Sequence, residues 1–226
     1  KEAICKADPK SIEIIKPVLR GKDIHKYYYE WAGLWLISTF PSLHLDIDKY
    51  PAVKNYLSSF GKKLEQSGEK GCRSKNNNKW FETQATIAYY EEFNKDKIIW
   101  SDISQYGSFT YDSDQFYISN TAYMLIGKDL FYLLGILNSN LFDFYFDMVA
   151  SHLSDKAKRY FTIYIEQFPI PIYQKNDTTL ELEKLVKDIL KIMPTIDNYQ
   201  TQKNVTSDIS DYLNRIDSLV YKLYGL

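Results

Sequence analysis

The feature that most constrains this fold is LFYLLGILNSNLFDFYF, Leu130 to Phe146, the richest apolar run in the chain. Drawn as a helix, it carries apolar side chains around most of its circumference, and such a helix has to lie inside something. Gly135, Asn138, Ser139, Asn140 and Asp143 interrupt the run too often for a membrane span. The run therefore predicts a long buried helix, starting at or just before Asp129 and covering residues 130–149, with the rest of the chain wrapped around it. The chain has the material for that: 226 residues, 45% hydrophobic and 16% aromatic, enough for a substantial core.

Before this helix, IEIIKPVLRGKDIHKYYYEWAGLWLIST reads as strands on either side of Gly21, the second centred on Leu34 to Ser38. Pro51 stands where a helix would start, and Val53, Leu57, Phe60 and Leu64 follow at helical spacing. SGEKGCRSKNNNK then reads as a loop, KIIWSDIS as a short buried strand and turn, and FTYDSDQFYISNTAYMLIG as further strands. After the buried helix, SHLSDKAKR is predicted to be a basic loop and YFTIYIEQFPIPI a strand ended by its prolines. From Thr178 the pattern changes to two amphipathic helices separated by Pro194 and a polar linker. Leu182, Leu185, Val186, Ile189 and Ile192 form one stripe; Ile209, Tyr212, Leu213, Ile216, Leu219, Val220 and Leu223 form the other. The expected fold class is mixed α+β: a β-sheet-rich domain (residues 1–173) around a long buried helix, followed by a C-terminal helical hairpin (174–226). That hairpin would pack on the domain or dock on a neighbouring one.

A net charge of −1 and a pI near 6.4 argue against coating nucleic acid through charge alone, but not against a module that reads DNA while another domain grips phosphates. The 20 tyrosines suit partly wet interfaces and equally suit ordinary strands. Cys5 and Cys72 form no metal-like pair and read as free thiols in a reducing cytoplasm, with a single disulfide as the alternative. KEAICKADPK has no signal-peptide core, so a cytoplasmic protein is expected, with no membrane partner and with chance sequons at Asn176 and Asn204. The first residue is Lys1, which suggests a fragment of a larger protein.

Catalytic signatures are missing. The sequence contains no GxG, no GK[ST] phosphate loop and no Pro-Pro pair, so neither a methyl-donor glycine loop of the usual kind nor an Asn-Pro-Pro-aromatic methyltransferase motif is present. No Pro-Asp leads to an ExK. His25, His44 and His152 are scattered, and HLDID, with Asp46 and Asp48, reads as a solvated loop rather than a metal site. Asp112 and Asp114 read as turn residues. No catalytic residue and no metal site is assigned.

Four segments combine cations, amides and aromatics in expected loops. Arg20 and Lys22 flank Gly21, where backbone can approach a phosphate and Arg can grip phosphate or a guanine edge. Arg73, Lys75, Asn76, Asn77, Asn78 and Lys79 run into Trp80; Arg suits guanine, Asn suits adenine and Lys suits phosphate. Gln105, with Ser104, Tyr106 and Ser108, carries donors and acceptors for base edges. Lys156, Lys158 and Arg159 precede Tyr160 and suit a backbone clamp. Solvated turns have the same compositions, so none of the four is specific alone.

IKPVLRGKDI, YPAVKNYL with KKLEQ, WFE, KIIWSDIS, YLLGILNSNLFDFYF and YIEQFPIP, in this order, resemble the TaqI-like C-terminal specificity domain. The tail IDSLVYKLYGL is similar to the ending of many such proteins. That domain follows the catalytic domain of exocyclic-amine DNA methyltransferases and of fused type IIG restriction–modification enzymes. The resemblance implies sequence-specific double-stranded DNA target recognition without catalysis. It also implies an upstream methyltransferase domain in the same polypeptide, which would hold S-adenosylmethionine and methylate a flipped adenine; this segment itself would hold no cofactor. Arg20 and Lys22 fall in LRGKDI and Trp80 in WFE, while Asn138 and Ser139 in LNSN suit packing or capping. The family often has an Arg-rich stretch before WFE, where this chain has one Arg and several Lys, which leaves the contacted bases open. A protein-interaction or scaffolding domain is the main alternative, and an unfamiliar enzyme using Asp46, Asp48, Asp112 and Asp114 is a third.

Overall fold

Every residue of KIIWS is buried, and the reason is that this strand is central and covered on both faces. The computed structural model describes residues 1–154, 157–193 and 206–226. In chain order its helices are α1 (Glu2–Ala7), α2 (Pro51–Ser58), α3 (Leu130–Leu137), α4 (Asn140–Val149), α5 (Thr162–Ile165), α6 (Asp177–Ile192) and α7 (Thr206–Tyr224). Its strands are β1 (Ile15–Leu19), β2 (Ile24–His25), β3 (Tyr28–Tyr29), β4 (Trp35–Ile37), β5 (Lys97–Ser101), β6 (Ile103–Ser104), β7 (Phe109–Asp112), β8 (Tyr117–Ile118), β9 (Ala122–Leu125), β10 (His152–Ser154) and β11 (Ala157–Arg159). The architecture is α+β. Two units divide it, the first comprising residues 1–18 and 33–94, the second residues 19–32 and 95–226.

In the first unit β1 pairs antiparallel with β4, Ile15 opposite Ile37 and Pro17 opposite Trp35. Ile14, Ile15, Ile47, Tyr50, Val53, Leu57, Leu64 and Phe81 form its core. Pro51 opens α2, as its pre-set φ and missing N–H favour. The helix stops at Ser58 although the apolar spacing continues to Leu64. Gly61 takes a positive φ of 54°, breaking the helical path, and Leu64 reaches the core from a 3-10 turn over Gly61–Leu64 while Phe60 stays exposed.

In the second unit β5 lies between β7 and β9, antiparallel to both. Side chains alternate across a strand, so Ile98 and Trp100 enter one apolar cluster while Ile99 joins Leu19, Ile24, Phe116 and Ala122 in another. The larger cluster contains the apolar faces of α3, α4, α6 and α7, including Leu134, Phe142, Phe146, Leu182, Val186, Ile189, Ile216 and Val220. The two C-terminal helices pack against each other, with Arg215 bonded to Glu181 at 2.6 and 2.8 Å. Pro194 and the expected linker lie outside the described residues. A Cβ on Gly135 would come within 2.8 Å of Leu182, so the glycine in LLGIL sets how closely α3 and α6 approach.

Three expectations need correction. The single long helix is two, because Asn138 and Ser139 serve other partners. The Asn138 amide accepts from Phe109 N–H at 3.1 Å and donates to Phe109 C=O at 2.9 Å, pairing with β7 as a strand would. Ser139 caps α4 by accepting from Phe142 N–H at 3.2 Å. Within SHLSDKAKR, expected to be a loop, β10 pairs antiparallel with β11, and β11 pairs in turn with β6. YFTIYIEQFPIPI holds the short helix α5 rather than a strand; Tyr160, Ile165 and Phe168 enter the core at a spacing that strand alternation does not allow.

Candidate nucleic-acid interface

The LRGKD segment of the second unit folds as a tight 3-10 turn over Gly21–Asp23. Arg20 closes it: its guanidinium donates to the Asp23 carboxylate at 2.9 and 2.7 Å, and its backbone N–H donates to the same group at 2.8 Å. The guanidinium holds the Asp23 carboxyl below the usual carboxylate range, and the carboxylate raises the Arg20 pKa in turn. Lys22 is exposed. The turn sits against the one joining β8 to β9: Gly21 N–H donates to Thr121 Oγ1 at 2.9 Å. A Cβ on Gly21 would lie 2.3 Å from Thr121 O and 2.7 Å from Ser101 Oγ, so the close approach requires glycine.

These two turns and the end of β5 wall a cleft of about 490 Å³, lined by Arg20, Lys22, Asp102, Ser119, Asn120 and Thr121 among others. Arg159 bonds to Asp102 at 2.7 Å, and β11 pairs with β6 so that Arg159 faces Ile103 and Lys158 faces Ser104. The structure thus joins Arg20, Lys22 and Arg159 through one framework, although they lie far apart in sequence. Gln105, on the exposed loop after β6, bonds to Tyr106 Oη at 3.3 Å, and Tyr106 is 61% exposed. Lys158 Nζ is held by Asp147 at 2.7 Å, which keeps the Asp147 carboxyl below its ordinary range. Lys156 lies outside the described residues.

The first unit holds the other candidates. The 65–82 loop is ordered by its own side chains: Arg73 donates to Glu82 C=O at 2.8 Å, and Gln66 donates to Lys79 C=O and Glu82 C=O at 2.8 and 2.9 Å. Asn76 donates to Gln66 Oε1, and Asn78 donates to Thr83 C=O at 2.9 Å. Lys79 lies 3.8 Å from Glu82 and over the Phe81 ring, while Trp80 packs edge-on against Phe81 and stays 36% exposed. Lys75 and Asn77 are exposed, and among the described residues their side chains have no hydrogen-bond or ion-pair partner.

The carboxylates weighed for an unfamiliar enzyme are engaged elsewhere. Asp46 accepts from Asp48 N–H at 3.2 Å, and Asp48 pairs with Lys54 at 2.5 Å. Asp112 is fully buried 2.7 Å from Lys97, where loss of solvent raises its pKa against the pull of that lysine, and Asp114 accepts from Tyr29. Among the described residues no three His, Cys, Asp or Glu side chains gather as a metal site. No described helix is long and apolar enough to cross a membrane. Sequence reasoning missed Asp102, Ser119, Asn120 and Thr121; SNT reads as an ordinary turn, and only its placement beside LRGKD gives it meaning.

The model of the TaqI-like C-terminal specificity domain matches residues 16–170. This chain belongs to that family. The match takes in the whole cleft and the 65–82 loop, so the specificity domain contains every candidate contact described above. Its fold is similar to a solved structure of the type IIL restriction–modification enzyme MmeI in complex with DNA, at a TM-score of 0.62 and 15% identity over 99% of this chain. This chain spans 30% of that one, and at this identity the likeness speaks for the fold. No curated protein matches by sequence.

Proposed function

We propose that this specificity domain reads the base sequence of double-stranded DNA for a DNA (adenine) methyltransferase or a fused restriction–modification enzyme, supplying no catalytic group itself. The observation that carries the reading is the cleft around LRGKD. It lies inside the matched segment and sets Arg20 and Lys22 beside hydroxyl and amide side chains, the combination needed to anchor phosphate and read base edges. The solved relative's complex with DNA supports the same reading. Residues 1–173 would form the recognition part, with the 174–226 helices packed on it or on the catalytic domain.

In this reading Lys22, Lys75 and Asn77 are the readiest contacts, because their side chains are exposed and uncommitted among the described residues. Arg20, Arg73, Asn76, Lys79, Lys158 and Arg159 each already have an intramolecular partner. They would contact DNA with their remaining donors or exchange one carboxylate or carbonyl for a phosphate. Trp80 offers a partly exposed ring and Gln105 an exposed amide, and Lys156 would add to the backbone clamp. The partner domain in the same polypeptide would bind S-adenosylmethionine and supply the methyl transfer.

Domain exchange tests the proposal. Transplanting residues 1–226 into a related methyltransferase in place of its own specificity domain, then mapping methylated bases by single-molecule sequencing, should transfer a new recognition sequence. An unchanged recognition sequence in an active hybrid refutes the function.

A further inference from the structure

We infer that Asn120 is a base-reading residue and that its preferred partner is an adenine in the major groove. The inference rests on the DNA-reading function proposed above and assigns a specificity determinant within it.

The turn joining β8 to β9 divides its side chains sharply. Ser119 and Thr121 spend theirs on the fold. Their hydroxyls bond each other at 2.8 Å, and Thr121 Oγ1 also accepts from Gly21 N–H at 2.9 Å. The backbone is fixed as firmly: Asp102 N–H donates to Thr121 C=O at 2.9 Å, Ser119 N–H to Leu19 C=O at 2.9 Å, and Ala122 N–H to Ser119 C=O at 3.1 Å. Asn120, between them, is exposed on the cleft wall, and among the described residues its amide has no hydrogen-bond partner.

A polar side chain left free on a turn whose backbone is tied down meets an external partner without the cost of ordering that backbone. The amide gives one donor and one acceptor side by side. That pattern matches adenine N7 and N6–H in the major groove, where an Asn can bond both at once. The surroundings fit such a partner: Lys22 on the facing turn supplies an exposed cation for the adjoining phosphate. Arg20 has two guanidinium nitrogens on Asp23, so the Asn120 amide is the group on this wall with no internal hydrogen bond to give up among the described residues.

Binding-site selection from a randomised duplex library tests this, using the 226-residue chain at low ionic strength, where phosphate contacts are strongest. Wild type should enrich a motif containing a fixed adenine. Asn120→Ala should randomise that one position, with a loss of discrimination on the order of ten- to a hundred-fold there, and keep the rest. Asn120→Asp, which only accepts, should move the same position toward cytosine, whose N4 amine donates. The same motif from Asn120→Ala as from wild type overturns the assignment while leaving DNA reading intact. No motif from wild type overturns both.

Discussion

Replacing Gly21 by alanine probes whether close contact between two turns builds the cleft. The added Cβ would start 2.3 Å from Thr121 O and 2.7 Å from Ser101 Oγ. Reaching an ordinary contact near 3.4 Å requires one turn to retreat by about 1 Å, and the obstacle is a backbone carbonyl rather than a flexible side-chain tip. Overpacking that displaces backbone destabilises by about 1–3 kcal/mol, and weakening the 2.9 Å bond from Gly21 N–H to Thr121 Oγ1 adds about 1 kcal/mol. With a urea m-value of about 2–3 kcal/mol/M, the unfolding midpoint should fall by about 1 M. Gly127→Ala is the control, since a Cβ there meets nothing within 4 Å, and its midpoint should stay near wild type. The same retreat moves Lys22 away from Asn120, so Gly21→Ala should also blunt sequence selection on DNA in conditions where the protein remains folded. Equal midpoints for the two variants, with selection intact, would refute the claim that this contact shapes the cleft.

Two further expectations concern charge. Lys97 and Asp112 are both fully buried and 2.7 Å apart, so Lys97→Met, which strands a buried carboxylate, should destabilise by about 3–5 kcal/mol. Adding Asp112→Asn should recover part of that loss in a thermal double-mutant cycle; purely additive effects would deny the coupling. Asp23 has its folded pKa lowered chiefly by the hydrogen bond from Arg20, so its stabilising contribution is present above the unfolded carboxylate range near pH 4 and is lost as pH falls through the depressed folded value. Wild type should accordingly be more stable than Asp23→Asn at neutral pH, with the gap closing on acidification; a gap independent of pH would place the stabilisation elsewhere.

Much of the fold was legible because local chemistry and tertiary demand agree there. KIIWS is a strand, Pro51 opens a helix, and the stripes on residues 182–192 and 209–223 are the faces that pack in the core. The misreadings share a cause. LNSN looked like a helix interior because its flanks are apolar, yet Asn138 is taken by Phe109, 29 residues away. SHLSDKAKR looked like a loop because it is polar, yet β6 offers it a strand edge. The candidate site divides in the same way: cation-rich segments show in the sequence, whereas the carbonyls and carboxylates that occupy Arg20, Arg73 and Arg159 do not.

By itself, then, the sequence determined the class of the fold, the order of segments that marks a specificity domain, and where the cations lie. Fold class and cation placement follow from period, turn chemistry and composition, all of which act over a few neighbouring residues, whereas the specificity domain is marked by the resemblance of its ordered segments to that family. The tertiary structure alone decided which polar groups are consumed in holding the fold and which remain free. Hydrogen-bond partners are chosen in space: Gly21 and Thr121 meet across a hundred positions of chain, and that meeting ties down Thr121 while leaving Asn120 exposed on the cleft.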